Sequence, residues 1–227
     1  MRVELIDHMG DDLRVANAAR VSFAKESKGD FTWGDHPLSQ EHVKPKYVPT
    51  DADAKLIHYL AKHGHWSPFS HCFLTFRIKA PIFVARQLQK HQVGLAWNEV
   101  SRRYVDSEPA FYVPDSWRKR SGNVKQGSSD EVSDDIDNDA LVQHYGEVAA
   151  TYKEMIDRGI APEQARMILP QSMYTEWYWS GSLYAFARVC KLRLDSHTQK
   201  ETREVAHQIA HHLTEKFPVS YQALTEG

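Results

Sequence analysis

The stretch "KHQVGLAWNEVSRRYV", residues 90–105, gathers Lys90, His91, Gln92, Asn98, Glu99, Ser101, Arg102, Arg103 and Tyr104 around a short apolar middle. The chemistry open to such a set is recognition of anions and carbonyls. A guanidinium offers parallel N–H donors that match phosphates and uracil-like carbonyls. A serine hydroxyl and backbone N–H groups can complete a phosphate cradle, and Glu99 can accept from a sugar hydroxyl or order the arginines. An isolated Arg-Arg pair is more often a solvated face. Here, however, arginines recur beside polar partners in otherwise apolar segments: Arg86-Gln87, Arg166 in "QARMILP" and Arg193 in "KLRLDSH". The pattern points to a phosphorylated, nucleotide-like ligand. The sequence has no Walker loop and no GxGxxG, so side chains and helix ends must hold it.

Two other chemistries compete and are weaker. Thirteen histidines invite a metal, and His207 and His211 have helical i, i+4 spacing. Yet "HQIAH" lacks the glutamate of a zincin and no cysteine cluster completes a site, so no metal is expected. Cys190 sits in an apolar helical segment and Cys72 on the apolar face of a strand; both read as core rather than as nucleophiles.

The elements that must position these residues follow from periodicity. "MRVELID" reads as a strand and "DDLRVANAARVSF" as a helix. Residues 24–50 are polar and form a surface excursion. Thr50 and Asp53 make a capping box for "DADAKLIHYLAKH", which Gly64 stops. "HCFLTFRIK" alternates, with Cys72, Leu74, Phe76 and Ile78 on one face. Pro81 suits the first turn of "PIFVARQLQKH", a helix on which Gln87, Lys90 and His91 share a face. Residues 121–139 are acidic and read as an exposed loop. A helix striped by Leu141, Tyr145, Val148, Tyr152 and Met155 follows. Gly159 and Pro162 end that segment, and the last third reads as helical through "SLYAFARVCKLRL". Ser196 and Gln199 suggest a capping box before a final helix striped by Val205, Ile209 and Leu213. Helices dominate, with a few strands early. The class is α+β, a single helix-rich domain over 1–227 with a small, mostly antiparallel sheet.

Composition narrows the setting. A formal net charge of -2 argues against a nucleic-acid-coating protein. No run approaches a membrane span, the start has no signal core, and two isolated cysteines suit a reducing cytosol. The expectation is a cytoplasmic protein that binds neither nucleic acid nor membrane.

The residues also resemble a known family, the flavin-dependent thymidylate synthases. Their signature is Arg-His-Arg, seven or eight residues, then Ser, with Asn-Glu before that serine and Arg-Tyr after it. This chain reads Lys90-His91-Gln92, eight residues, Ser101, with Asn98-Glu99 before and Arg103-Tyr104 after. "AARVSF", "LAKHGHWSPFSH", "KAPIFVARQ", "FYVP", "QARMILPQSMYTEWYW" and "LRLDSH" resemble family segments in the family order. The similarity covers nearly the whole chain.

The resemblance implies methylation of dUMP without a cysteine nucleophile. The carbon comes from 5,10-methylenetetrahydrofolate and the hydride from FAD reduced by NADPH, in a homotetramer whose active sites are shared between subunits. It implies that Gln87, Lys90, Glu99, Ser101, Arg102, Arg103, Arg166 and Arg193 hold dUMP. Ser67, Lys90, His91, Gln92, Glu99, Ser182, Tyr184 and Arg188 would lie along FAD, with His65 near the folate pocket. Arg193 would be catalytic, favouring loss of the uracil N3 proton. Lys90 and Gln92 replace the two arginines of the signature, Ser70 stands where many members have an acid, and Arg188 where many have Asn or His. Two rivals accompany this reading: a hydroxymethylase of the same fold, and a nucleotide-binding relative without catalysis.

Overall fold

The structure, a computed structural model, describes residues 1–32, 46–122, 128–133 and 136–226. The chain opens with β1 (Arg2–Met9) and α1 (Asp12–Arg20), whose N-cap Asp11 accepts from the Arg14 N–H at 3.0 Å. β2 (Asp30–Thr32) and β3 (Lys46–Val48) pair as an antiparallel ribbon. α2 (Asp51–Lys62) then starts from the expected capping box: the Thr50 hydroxyl accepts from the Asp53 N–H at 3.2 Å, and Asp53 accepts from the Thr50 N–H at 3.4 Å. Gly64, with φ +68, turns the chain out of it, a backbone state that costs glycine little.

Next come β4 (Phe73–Pro81), α3 (Ile82–Leu88) and β5 (Leu95–Glu99). β6 (Trp117–Arg120) and β7 (Ser128–Ser133) pair antiparallel, followed by α4 (Asn138–Asp157) and the short α5 (Pro162–Ala165). β8 (Tyr174–Ser182) leads into α6 (Leu183–Arg193), α7 (Lys200–Lys216) and α8 (Pro218–Thr225).

The main sheet has the order β1-β4-β8-β5, and every neighbouring pair is antiparallel. Leu74, Phe76 and Ile78 of β4 share a buried face with Trp177 and Trp179 of β8, and α6 and α7 add Phe186, Val189, Val205, Ile209 and Leu213 to that core. Phe76 and Trp179 both stand edge-on to Phe186, with ring centroids 5.0 and 5.2 Å away. Each such side chain contributes on the order of 1.5–3 kcal/mol by leaving water. At the sheet's end Gly181 faces β5 so closely that an added Cβ would lie 2.5 Å from the Gly94 carbonyl oxygen. That contact lets β5 seat beside β8 and brings Gly94 against the start of α6.

Several expectations hold. β1, α1, α2 and the alternation of β4 stand as read, and Cys72 and Cys190 are buried. Burial, the first cause in each case, pushes both thiols up to about 12. Val205, Ile209 and Leu213 are fully buried on α7.

Other expectations are corrected. The last third is not wholly helical, because β8 lies in the middle of the sheet. α7 is not the final helix; α8 follows it. Pro81 is the N-cap of α3 rather than a residue of its first turn, and α3 stops at Leu88, so Lys90 and His91 leave the helix that bears Gln87. The Ser196–Gln199 capping box is not formed: no side chain caps α7. Glu99, left unassigned to any element by the sequence, ends β5. The acidic segment read as a loop contains β7 paired to β6, while the polar excursion carries the β2–β3 ribbon. Residues 33–45, 123–127 and 134–135 within those segments lie outside the described residues.

Candidate functional site

Three groups of predicted residues emerge, the first around Arg193. It is the last residue of α6 and is half-buried. Its Nε donates to His91 Nε2 at 2.9 Å and its Nη2 to the Gln87 carbonyl oxygen at 3.1 Å. A guanidinium only donates, so His91 must accept at Nε2 and carry its proton on Nδ1. Burial first, then the charges of Arg193 and Arg188, hold the imidazole down to about 4. His91 is therefore neutral near pH 7, as acceptance from a cation requires. The side chain of Gln87 is held in turn by Gln199 and by the Thr202 hydroxyl of α7.

The second group lines a cleft of about 320 Å³ beside β5 and β8, walled by Lys79, Glu99, Arg102, Arg166, Thr175 and Glu176. Glu99 accepts from the Thr175 hydroxyl at 2.7 Å and from Trp97 Nε1 at 3.1 Å. These donors fix the carboxylate on the sheet edge. Arg102 donates to the Ser107 carbonyl oxygen and lies 5.7 Å from the centre of the Tyr152 ring. Arg166 Nε donates to the Glu163 carbonyl oxygen at 3.4 Å. Ser101 accepts from the backbone N–H and the Nε of Arg103, at 3.3 and 3.2 Å, while Arg103 spans the Tyr104 ring at 5.1 Å. The two adjacent arginines thus have different partners, and only Arg102 lines the cleft.

The third group surrounds a cavity of about 370 Å³ lined by His65, Trp66, Phe69, Tyr184, Arg188 and Lys191, among others. Trp66 and Tyr184 face each other at 6.2 Å, and the Arg188 guanidinium lies 5.9 Å from the Tyr184 ring. Ser67 opens the short turn after Trp66 and is exposed. Ser182 is buried, and its hydroxyl accepts from the Ala185 N–H at 3.2 Å as the N-cap of α6. Lys90 and Gln92 are exposed on the turn between α3 and β5, and Ser70 is half-buried. Among the described residues, no group of three or more His, Cys, Asp or Glu is placed to hold a metal ion.

Some residues of these groups escaped the sequence reading. Trp66 is 55% exposed, and an aromatic directly after His65 was the signal available. Lys79 stands on the outer face of β4, opposite Glu176 of β8; the pair was invisible while β8 was read as helical. Gln199 was read only as a cap, and Thr202 continues the stripe of Val205, Ile209 and Leu213 toward the start of α7 but was not picked out. Within one chain the predicted nucleotide residues fall into two groups, Gln87 with Arg193, and Glu99 with Arg102 and Arg166.

A four-stranded antiparallel sheet backed by helices, with guanidiniums gathered near its edge, defines an α+β protein. The family model described as "Thymidylate synthase complementing protein" matches residues 4–219. A flavin-dependent thymidylate synthase of Thermosipho africanus is 36% identical over 233 aligned residues, covering 97% of this chain and 89% of the relative. The enzyme of the same name from Treponema denticola is 37% identical, covering 90% and 71%. Among solved structures, a UMP/dUMP methylase, PolB, from Streptomyces cacaoi bound with 5-Br dUMP superposes with a TM-score of 0.78 at 32% identity, covering 99% of this chain and 94% of that one. The chain belongs to the flavin-dependent thymidylate synthase family.

Proposed function

We propose that this chain methylates dUMP to dTMP, taking its carbon from 5,10-methylenetetrahydrofolate. The observation that carries the reading is Arg193, a half-buried guanidinium fixed by neutral His91 and by the Gln87 carbonyl oxygen. Set at the uracil edge, its remaining N–H groups favour loss of the N3 proton and stabilise the charge that develops as C5 attacks carbon. No thiol is needed, which agrees with two buried cysteines whose thiols are held at about 12.

FAD, when bound, supplies the hydride that takes the transferred carbon to a methyl group, with NADPH as the electron source. The third cavity fits such a group, since Trp66 and Tyr184 offer aromatic faces and Arg188 and Lys191 offer cations for a diphosphate. In this reading Ser67, Lys90, His91, Gln92, Glu99, Ser182, Tyr184 and Arg188 lie along the flavin, and His65 marks the folate side. Gln87, Lys90, Glu99, Ser101, Arg102, Arg103, Arg166 and Arg193 hold dUMP, the cleft of Glu99, Arg102 and Arg166 taking the sugar and phosphate. The separation of these residues into two groups within one chain supports a site assembled from several subunits of a homotetramer. The free buried thiols support a cytoplasmic setting.

Purified protein incubated with dUMP, 5,10-methylenetetrahydrofolate, NADPH and FAD tests the reading, with the nucleotide product weighed by mass spectrometry. The expected product is dTMP. A hydroxymethyl product would make the chain a hydroxymethylase, and no product from flavin-loaded protein would overturn enzymatic methylation. UMP is run beside dUMP because the solved neighbour is named for both nucleotides.

A further inference from the structure

Opposite charges share the cleft beside β5 and β8 and yet stay apart. Glu99, Arg102 and Arg166 all line it. A carboxylate and a guanidinium free to meet would close into a two-pronged pair, and both would then be lost to a ligand. The structure gives each of them a neutral partner instead. Glu99 Oε1 accepts from the Thr175 hydroxyl at 2.7 Å, and its Oε2 accepts from Trp97 Nε1 at 3.1 Å. Arg102 and Arg166 donate to the carbonyl oxygens of Ser107 and Glu163. The two donors to Glu99 are themselves held firmly. Trp97 and Glu99 are alternate residues of β5, and Thr175 and Trp177 are alternate residues of the paired β8. The Trp97 ring stacks on Trp177 with centroids 4.4 Å apart and planes inclined by 17°, and it stands edge-on to Trp179 at 5.5 Å. Trp177 and Trp179 belong to the core, so the core aims the Trp97 N–H. Thr175 is buried and β-branched, which restricts its hydroxyl to few positions. One donor on each oxygen stops the carboxylate from turning and leaves each oxygen a lone pair for a ligand.

We propose that Thr175 and Trp97 are positioning residues that hold Glu99 away from Arg102 and Arg166, so that the cleft reads a sugar hydroxyl and a phosphate together. The inference rests on the reading that this cleft takes the sugar and phosphate of dUMP. A carboxylate repels the phosphate and can only accept from the ligand. Of the donors on dUMP, the N3–H belongs with Arg193 in that reading, so the 3′-hydroxyl falls to Glu99. Released from Thr175 or Trp97, Glu99 would turn toward the guanidiniums. The hydroxyl would then lose its acceptor, and the phosphate would lose part of its positive field.

The experiment uses the full-length protein loaded with FAD and compares dissociation constants for dUMP and its 2′,3′-dideoxy analogue by calorimetry. Wild type should bind dUMP about tenfold or more tightly than the analogue, the worth of a hydrogen bond to a charged group. Thr175→Val keeps the shape and removes the donor, so that preference should fall about fivefold, the size of one neutral hydrogen bond. Thr175→Ser restores a hydroxyl and should restore the preference. Trp97→Phe keeps an aromatic face on Trp177 but no N–H, and gives a second reading if Thr175→Val does not fold. A preference within about twofold of wild type in either folded variant overturns the proposal, as does a wild type that binds both ligands equally. A melting temperature that falls while the preference holds would likewise make Thr175 and Trp97 part of the fold and nothing more. Methylation of dUMP with an unchanged preference sinks this inference alone. A preference that behaves as expected without methylation sinks the proposed function alone.

Discussion

Replacing Arg193 with alanine is the sharpest test of the site. The side chain makes two hydrogen bonds within the protein, to His91 at 2.9 Å and to the Gln87 carbonyl oxygen at 3.1 Å. Both acceptors are half-buried, so water can replace the lost donors and the fold should survive. The loss falls on the substrate. A charge-assisted contact to a pyrimidine carbonyl is worth ~1.5–3 kcal/mol, or about 10- to 150-fold in dUMP affinity. A further loss of about 100- to 1,000-fold is expected in turnover, the size seen when one donor to a developing oxyanion is removed. Arg193→Lys restores charge but not the fork that reaches His91 and Gln87 together, so it should recover only part of the activity. Arg102→Ala should mainly raise the dUMP concentration needed. The assay is dTMP formation at saturating dUMP, with flavin content measured in parallel because Arg193 donates to His91. Near-normal turnover of Arg193→Ala at saturation would refute the activating role and leave this arginine as a binding residue.

Further outcomes follow from other parts of the structure. His91 should titrate near pH 4 rather than 6.5, read from its ring resonances by NMR; in Arg193→Ala its pKa should rise but stay below 6.5, because burial remains. Since the folded-state value is depressed, the unfolded chain binds the extra proton first, so this residue's contribution to stability is present above pH 6.5 and lost as pH falls toward 4. A denaturation series across that range in wild type and His91→Phe measures it. Asp53 is fully buried and accepts from Arg20 at 2.7 Å, Ser27 at 2.9 Å and Thr50 at 2.7 Å. Asp53→Ala strands the Arg20 charge and should cost about 3–5 kcal/mol by chemical denaturation; a loss below about 1 kcal/mol would mean the network is slack. Replacing Cys72 and Cys190 together with alanine should lower stability by a few kcal/mol at most and leave turnover of the folded protein intact, whereas complete loss would reveal a thiol nucleophile. Gln92→Arg should slow flavin loss during purification, and equal retention would remove Gln92 from the cofactor's contacts.

Much of the fold was legible because local chemistry and tertiary demand agreed. The alternation of Leu74, Phe76 and Ile78 is the buried face of β4, and the Thr50–Asp53 box starts α2 where the sequence put it. β8 was missed although Thr175, Trp177, Trp179 and Gly181 alternate inward, because the large aromatics on both faces of "YTEWYWSGS" blur the period. The Ser196–Gln199 box failed for another reason: the Gln199 side chain bonds Gln87 on α3, not the backbone ahead of its own helix.

The same division runs through the site. The sequence alone determined which residue types are present, their motif spacing, the absence of an exposed reactive thiol, and the family those motifs resemble. These are properties of short segments, set by side-chain chemistry and local periodicity. Only the tertiary structure decided that Arg193 meets His91 across 102 residues, that the adjacent arginines 102 and 103 take different partners, and that a buried Glu201 pairs with Arg118 across 83 residues. Those contacts depend on where separate elements dock, and docking is fixed by the burial of the whole core around β4, β8, α6 and α7, which no local pattern encodes.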